Sequence, residues 1–494
     1  MSRVLRWHEH LALNSYWLGI NIASGSITPV ILPYLVALFV PEEVKNTSLA
    51  TIRVIGLAVA MLVQPMAGMF SDRSTHRWGR RRPFILAGTL LNLVFLVIVA
   101  ASPLFADSAL DAAARPALGV GGAYLVLLTG IVLLQVSSNI GQGALQGLIP
   151  DRVPEDQRGR SSGVKSVMEL LPIFLVLVMG PLVDAGRVDV AIGIVMASFV
   201  VTMLITVLAV HEEPLKEKPR GSIGEPVARL VALTAIFVAV TRGAVGLVGA
   251  AGRLLAGMGA DMAVQVGVVG LAGLAGMAGS IFLGVYFGAW VGIGKQARQH
   301  RSFIWWVINR LLFLAAVGSI QGFAQYYLAD VLQLPNAATM TTVLLAVVAV
   351  FLLPSALAGG VLADRMGGRK RFVAYAGLIA AAGTLLLLFA RNVPLVLVSG
   401  CIIGLGTGTF FSTNWALGTD LAPRAEAGRY LGISNLAGAG AGIVGAGIGG
   451  PMADFFNGVR PGLGYLVVFA IYGGLFLLSV LALRGIAEPR AAPA

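Results

Sequence analysis

The chain has 494 residues, 57 % of them apolar and only 12 % charged, about half the charge of an ordinary soluble domain. A soluble globule of this length, a disordered chain and a fibrous repeat are all excluded, because the polar surface, polar tracts or strict glycine period that each requires are missing. One cysteine, Cys401, leaves no internal disulfide and no Cys-rich metal site, and the net charge of +12 lies in short loops between apolar runs, which argues against a nucleic-acid partner.

About twenty apolar residues cross a bilayer as a helix. On this criterion an N-terminal half, residues 1–210, carries six spans at 15–40, 48–71, 83–102, 120–149, 162–184 and 188–210. The first is too long for a signal-peptide core and holds Pro29 and Pro33, so it is expected to stay as a span. Asn21 and Thr28 share one of its faces, with Asn14 and Trp17 near them. Arg53, close to the outer end of the second span, is expected to reach water. The fourth span carries Gln135, Asn139, Gln142 and Gln146 at helical spacing, a four-amide stripe that would be costly against lipid and so faces protein or water. Glu169 lies in the fifth, seven residues beyond Ser162 and about 10 Å deep at 1.5 Å per residue.

A cytoplasmic linker is expected at 211–229, then an apolar insert at 230–294 with two helices turning near Asp261, closed by a basic loop within 230–301. The C-terminal half, 302–494, carries spans at 302–329, 338–362, 372–390, 394–418, 430–455 and 463–484. Arg310, Gln321 and Gln325 fall within about 60° on the first of these at 100° per residue, and Arg310 lies about 12 Å beyond Ser302. Asn414 and Trp415 lie in the fourth. Gly440-x-Gly442-x-x-Gly445 matches a dinucleotide fingerprint only formally, since it sits inside an apolar span where glycines serve helix packing.

With the N-terminus inside, 26 of the 35 Lys and Arg fall on the cytoplasmic side, which places both termini there and the chain in the plasma membrane. The chain also repeats itself. Gly68-x-x-x-Asp72-Arg73 followed by Gly79-Arg80-Arg81-Arg82 returns as Gly360-x-x-x-Asp364-Arg365 followed by Gly368-Arg369-Lys370-Arg371, and Asp151-x-x-Pro154 returns as Asp420-x-x-Pro423; the offsets are 292 and 269 residues.

Leu62-Val63-Gln64-Pro65, Gly68, Ser71-Asp72-Arg73, Arg77 and Gly79 to Ile85 closely resemble the sucrose–proton symporters, as does Asn139-x-x-Gln142-Gly143. Together with the glycoside–pentoside–hexuronide cation symporters, those belong to the major facilitator superfamily. The resemblance implies an all-α membrane fold of two six-helix halves in parallel repeat, here 12+2 spans, with solute held near the midplane by the first, fourth, seventh and tenth spans. It also implies a gate built from Gly68, Asp72, Arg73, Gly79, Arg80 and Arg81, and from Gly360, Asp364 and Arg365. Where plant-type sucrose symporters carry an Asp and, eleven residues later, an Arg, this chain has the neutral amides Gln135 and Gln146. The region of the sodium-binding Asp pair of melibiose-type relatives holds Ala60 and Gln64.

The expectation is therefore a secondary transporter, not an enzyme, that moves a small polar solute, a sugar or glycoside, by alternating access. Candidate solute ligands are Asn21, Gln135, Asn139, Gln142, Gln146, Arg310, Gln321, Gln325, Asn414 and Trp415. Amides suit hydroxyl-rich solutes because each both donates and accepts, and Trp415 or Trp17 can stack on a sugar ring or serve as an interfacial anchor. Glu169 is the candidate proton carrier, or else is neutralised by Lys165 one turn earlier. No cofactor is expected beyond a coupling proton, and anionic lipid is expected at the cytoplasmic basic loops. The alternatives are a facilitator or exporter of another small amphiphile, and a non-transporting receptor or assembly factor of the same fold. Oligomeric state is not legible.

Overall fold

The computed structural model describes residues 4–215, 222–292, 300–422 and 427–487. Expected basic residues at 216, 218, 220, 295, 298, 424 and 490, and the side chain of Arg429, lie outside what is described. Among the described residues there is no strand, and thirteen helices are long and apolar enough to cross a membrane. They are α1 (Trp7–Phe39), α2 (Lys45–Asp72), α3 (Arg82–Ala101), α4 (Gly122–Leu145), α5 (Glu155–Asp184), α6 (Val188–Ala209), α7 (Gly224–Gly257), α8 (Met262–Gly292), α9 (Arg301–Asp330), α10 (Ala337–Met366), α11 (Arg369–Leu386), α12 (Val393–Leu421) and, after a further long helix α13 (Ala427–Val459), α14 (Leu463–Ala482). The 12+2 arrangement is present. The insert turns where expected, with Asp261 Oδ1 accepting from the Val264 amide at 2.9 Å at the start of α8.

Prolines shape several of these helices. In α1, Pro29 and Pro33 each remove an amide donor from the ladder, and the backbone widens into a π turn over Ile27–Ile31 before the helix resumes. In α5, a break at Leu171 precedes Pro172.

Packing divides the chain into two units: Met1–Pro41 with Val59–Ala228, and Glu42–Ala58 with Arg229–Ala494. In the first, α1 lies against α5 and α6, and α3 against α4. A side chain at Gly88 would stand 2.8 Å from the Ser137 carbonyl and from the Gly141 amide, so these backbones touch. In the second, α12 packs between α10 and α11, and a side chain at Gly406 would stand 2.7 Å from the Ala380 amide. Gly88 and Ser137 map onto Ala380 and Gly406 by the same 292 and 269 offsets that relate the two sequence motifs. The insert belongs to the second unit: Phe237 of α7 fills the space beside Gly284 of α8 and Gly440 of α13.

One expectation fails in this unit. Arg53, expected to reach water, turns its guanidinium into the bundle. Its Nη2 donates to the Gly318 carbonyl at 2.8 Å and its Nη1 is buried, because Gly322 leaves the guanidinium a space inside the bundle.

Candidate functional site

The loop between α2 and α3 condenses around Arg81, which is 5 % exposed. Its Nε donates to Asp151 Oδ2 at 2.8 Å, its Nη1 to Ser71 Oγ at 2.6 Å, and its Nη2 to Asp72. Arg80 reaches the other Asp151 oxygen at 2.6 Å. Glu212, from the segment after α6, accepts from the amides of Arg81 and Arg82 at 3.0 and 2.9 Å and so caps the start of α3. Burial pushes the Glu212 carboxyl above its ordinary value. Gly79 adopts φ +100°, and Glu212 occupies the place that a side chain there would take. Arg73 is half-buried beside this network.

The second unit repeats the arrangement. Arg369 donates to Asp364 at 2.9 Å and to Asp420 at 2.6 Å, as Arg81 does to Asp72 and Asp151. Side chains added at Gly68 and Gly360 would stand 3.5 Å from Gly143 and 3.7 Å from Ser412, positions again related by 292 and 269. Arg365 is exposed. Arg369 as the counterpart of Arg81, and Glu212 as the cap, are members of these networks that the sequence reading did not single out. Arg369 was signalled by the repeat; Glu212 left no local signal.

In the first unit the amide stripe stands on the side of α4 away from the Ser137 and Gly141 contact with α3. Asn139 is buried and donates to the Gln135 carbonyl at 2.8 Å and to its side-chain oxygen at 3.4 Å. Gln142 is half-buried, and Gln146, one residue past the helix, is exposed. Asn21 is half-buried and donates to the Trp17 carbonyl at 2.8 Å. Glu169 pairs with Lys165 at 3.0 Å, and the Lys165 ammonium lies 4.3 Å from the centre of the buried Trp17 ring.

In the second unit the structure brings Arg310, Asn414 and Trp415 together. Arg310 Nη1 donates to Asn414 Oδ1 at 3.4 Å, and the guanidinium lies 4.9 Å from the Trp415 ring and 5.8 Å from the Trp306 ring. Asn414 Nδ2 in turn donates to Asn309 Oδ1 at 2.7 Å, and Trp306 Nε1 to the Asn414 carbonyl at 2.8 Å. Asn309, itself donating to the Ser479 carbonyl at 2.8 Å, and Trp306 were not anticipated, although an Asn beside Arg310 in an apolar run was legible. Gln321 and Gln325 stand apart, eleven and fifteen residues further along α9, about 16 and 22 Å. Gln325 is buried, whereas Gln321 is exposed and lines a largely apolar cavity with Val317, Leu344 and Ile403. The arrangement offers a charged donor, amide groups and indole faces within a membrane-spanning unit.

Residues 17–251 match the family described as MFS/sugar transport protein, and residues 306–494 the one described as Major Facilitator Superfamily. The chain belongs to the major facilitator superfamily. Among its relatives in the superfamily are the general alpha-glucoside permease of Schizosaccharomyces pombe, 30 % identical over 44 % of this chain and 39 % of the permease, and the sucrose transport protein SUT1 of Oryza sativa subsp. japonica, 35 % identical over 19 % of this chain and 18 % of that protein. The chain thus spans less than half the length of these relatives. Solved major facilitator structures share the fold across nearly the whole chain: a D-xylose–proton symporter (TM-score 0.59, 15 % identity, 97 % of both chains) and a peptide transporter POT bound to alafosfalin (0.64, 14 %, 96 % of this chain and 93 % of that one). The protein is a multi-pass integral membrane protein.

Proposed function

We propose that this major facilitator protein is a secondary transporter that moves a sugar or glycoside by alternating access. The observation that carries this is the cluster of Arg310, Asn414, Asn309, Trp306 and Trp415 inside a membrane-spanning unit. An intramembrane guanidinium is costly unless it serves a polar task. Amides and a guanidinium hydrogen-bond hydroxyls, while indole faces stack on the apolar faces of a pyranose. The matched alpha-glucoside and sucrose permeases support the same solute class. Asn21, Gln135, Asn139, Gln142 and Gln146 are assigned to the solute path from the first unit, with Gln321 and Gln325 further along α9.

The gating role goes to the two repeated charge networks around Arg81 and Arg369, which tie helix ends together within each unit, with Glu212 of the connector added in the first, and can break as a group. Proton coupling is assigned to Glu169. Its pairing with Lys165 favours a second reading, a facilitator with no coupled ion, because a neutralised carboxylate has less reason to take up a proton. Both termini and the basic loops are assigned to the cytoplasmic face of the plasma membrane, where exposed arginines such as Arg77 and Arg365 meet anionic lipid.

The test is uptake in proteoliposomes across a panel of glycosides, with pH and sodium gradients imposed separately. Saturable uptake reduced about tenfold or more in kcat/KM by Arg310→Met is expected, from the loss of a charged hydrogen bond of about 1.5–3 kcal/mol. Uptake of no panel member, or uptake indifferent to Arg310→Met and Trp415→Ala, overturns the assignment. Accumulation driven by pH and lost in Glu169→Gln selects coupling; equilibration without accumulation selects the facilitator.

A further inference from the structure

At the end of the second unit that carries Lys45, the near part of α2 meets α7 of the insert and α13 across a cleft. We propose that this cleft binds one anionic phospholipid, with its phosphate on Arg242 and an acyl chain against the apolar wall. Thr47, Thr51 and Val54 of α2, Thr241 and Arg242 of α7, and Gly447 of α13 are among its lining residues. Arg242 is the sole ionised group in that lining.

Three observations converge on this occupant. Arg242 is exposed, yet it sits in the apolar stretch 230–252 between Arg229 and Arg253, so its surroundings are lipid rather than water. Among the described residues no carboxylate pairs with it. A guanidinium in that position needs an anion, and its planar fork matches phosphate oxygens two at a time.

The depth of the cleft fits a lipid. Lys45 pairs with Asp330 at 2.6 Å and with Glu42 at 3.4 Å, marking the polar rim of this end of the unit. Thr47 and Thr51 lie two and six residues further along α2, about 3 and 9 Å below that rim, and Ile55 about 15 Å below it. Thr241 stands level with Val54, both against Gly447, so polar groups line the cleft from the rim down to Arg242 while Val54, Ile55, Val238 and Val245 supply apolar wall for a chain.

The hydroxyls narrow the headgroup. Thr51 donates to the Thr47 carbonyl at 2.8 Å and Thr241 to the Phe237 carbonyl at 2.7 Å, which commits their hydrogens and leaves their oxygens as acceptors. A headgroup bearing free hydroxyls and a net negative charge, of the phosphatidylglycerol type, satisfies both the acceptors and the unpaired cation. α7 and α8 lie between the repeated halves, so this site has no counterpart in the duplication.

The purified full chain, delipidated and then re-equilibrated with phosphatidylglycerol or phosphatidylcholine, is examined by native mass spectrometry for retained lipid. Wild type is expected to hold one phosphatidylglycerol per chain, preferred over phosphatidylcholine. Arg242→Gln reduces retention about fivefold or more while Arg242→Lys keeps most of it, on the scale of one basic residue at an anionic lipid. Val54→Trp, which fills the cleft with Arg242 intact, also releases the lipid. If that variant fails to fold, judged by its melting profile, the Gln and Lys pair alone decides. Equal retention in wild type and Arg242→Gln overturns the proposal, as does loss of a dimer or of glycoside binding in Arg242→Gln without loss of lipid. The readout does not depend on transport, so its failure is distinct from failure of the transporter reading.

Discussion

Arg53 enters the second unit through the space that Gly322 leaves open, with one guanidinium nitrogen on the Gly318 carbonyl at 2.8 Å and another buried. A buried guanidinium is tolerated only while its hydrogen bonds and its space survive. Gly322→Val should push it out or unpair it, lowering stability by roughly 2 kcal/mol, within the range seen for overpacked cores. Arg53→Leu placed on top of Gly322→Val should recover part of that loss, because an apolar chain can bend away. Thermal unfolding of the four proteins in one detergent measures the coupling. Strictly additive midpoint shifts would show that the two residues do not meet. The same contact explains why Arg53 was misjudged from sequence: its distance from the span end is local information, whereas the glycine that admits it lies 269 residues away.

At the level of helices and loops, the two charge networks have the same wiring in different surroundings. Arg81 is 6 % exposed in its side chain and Asp151 16 %, whereas Arg369 is 30 % exposed and its partners Asp364 and Asp420 are 62 % and 43 %. Arg81→Ala empties a buried guanidinium site and leaves Asp151 only its bridge to Arg80, and should cost about 2 kcal/mol; Arg369→Ala removes a solvent-screened pair and should cost about 1 kcal/mol or less. A larger drop in melting temperature for Arg369→Ala would invert this ranking. The Glu212 cap adds a pH signature. Its carboxyl is held above the ordinary glutamate value by burial, so the native state binds that proton more tightly than the unfolded chain does. The stabilisation that this gives is full below the ordinary glutamate range and is lost as pH rises through the raised native value. The stability of wild type relative to Glu212→Gln should therefore decline as pH rises from the ordinary glutamate range through the raised native value, and a difference that grows with pH would contradict the burial.

These networks also mark what was legible. Helix positions were, because hydropathy is a local property: the turn of the insert at Asp261 and all six spans of each half are where apolar runs place them. Helix ends were less so. α1 begins at Trp7, eight residues before the expected span, because a helix continues past the hydrocarbon where hydropathy no longer speaks for it. Asp72, Asp151, Asp364 and Asp420 were visible through their repetition, but the pairing of each with one arginine depends on a fold that brings residues 70 and 51 positions apart into contact. Arg310, Asn414 and Trp415 were found one by one as polar residues in apolar runs; that they form one cluster through Asn309 and Trp306 depends on how α9 crosses α12.

For the whole molecule, the duplication constrains topology more tightly than charge counting does. Gly88 with Ser137 and Ala380 with Gly406, or Gly68 with Gly143 and Gly360 with Ser412, are equivalent contacts inside the two halves, and the parallel repeat of the major facilitator fold has both halves start on the same side of the membrane. Six helices return the chain to its starting side, so the segment between the halves must cross the membrane an even number of times, and α7 with α8 supplies two crossings. Met258 in the turn between them should then face away from Arg77 in the basic loop after α2; both are exposed. Cys401 is the only cysteine, so its replacement by Ala gives a background for single-cysteine variants. In intact cells an impermeant maleimide should label Met258→Cys, whereas Arg77→Cys should require permeabilisation. Labelling of both from one side would mean that α7 and α8 do not both span, and the parallel relation of the halves would then need another route between them.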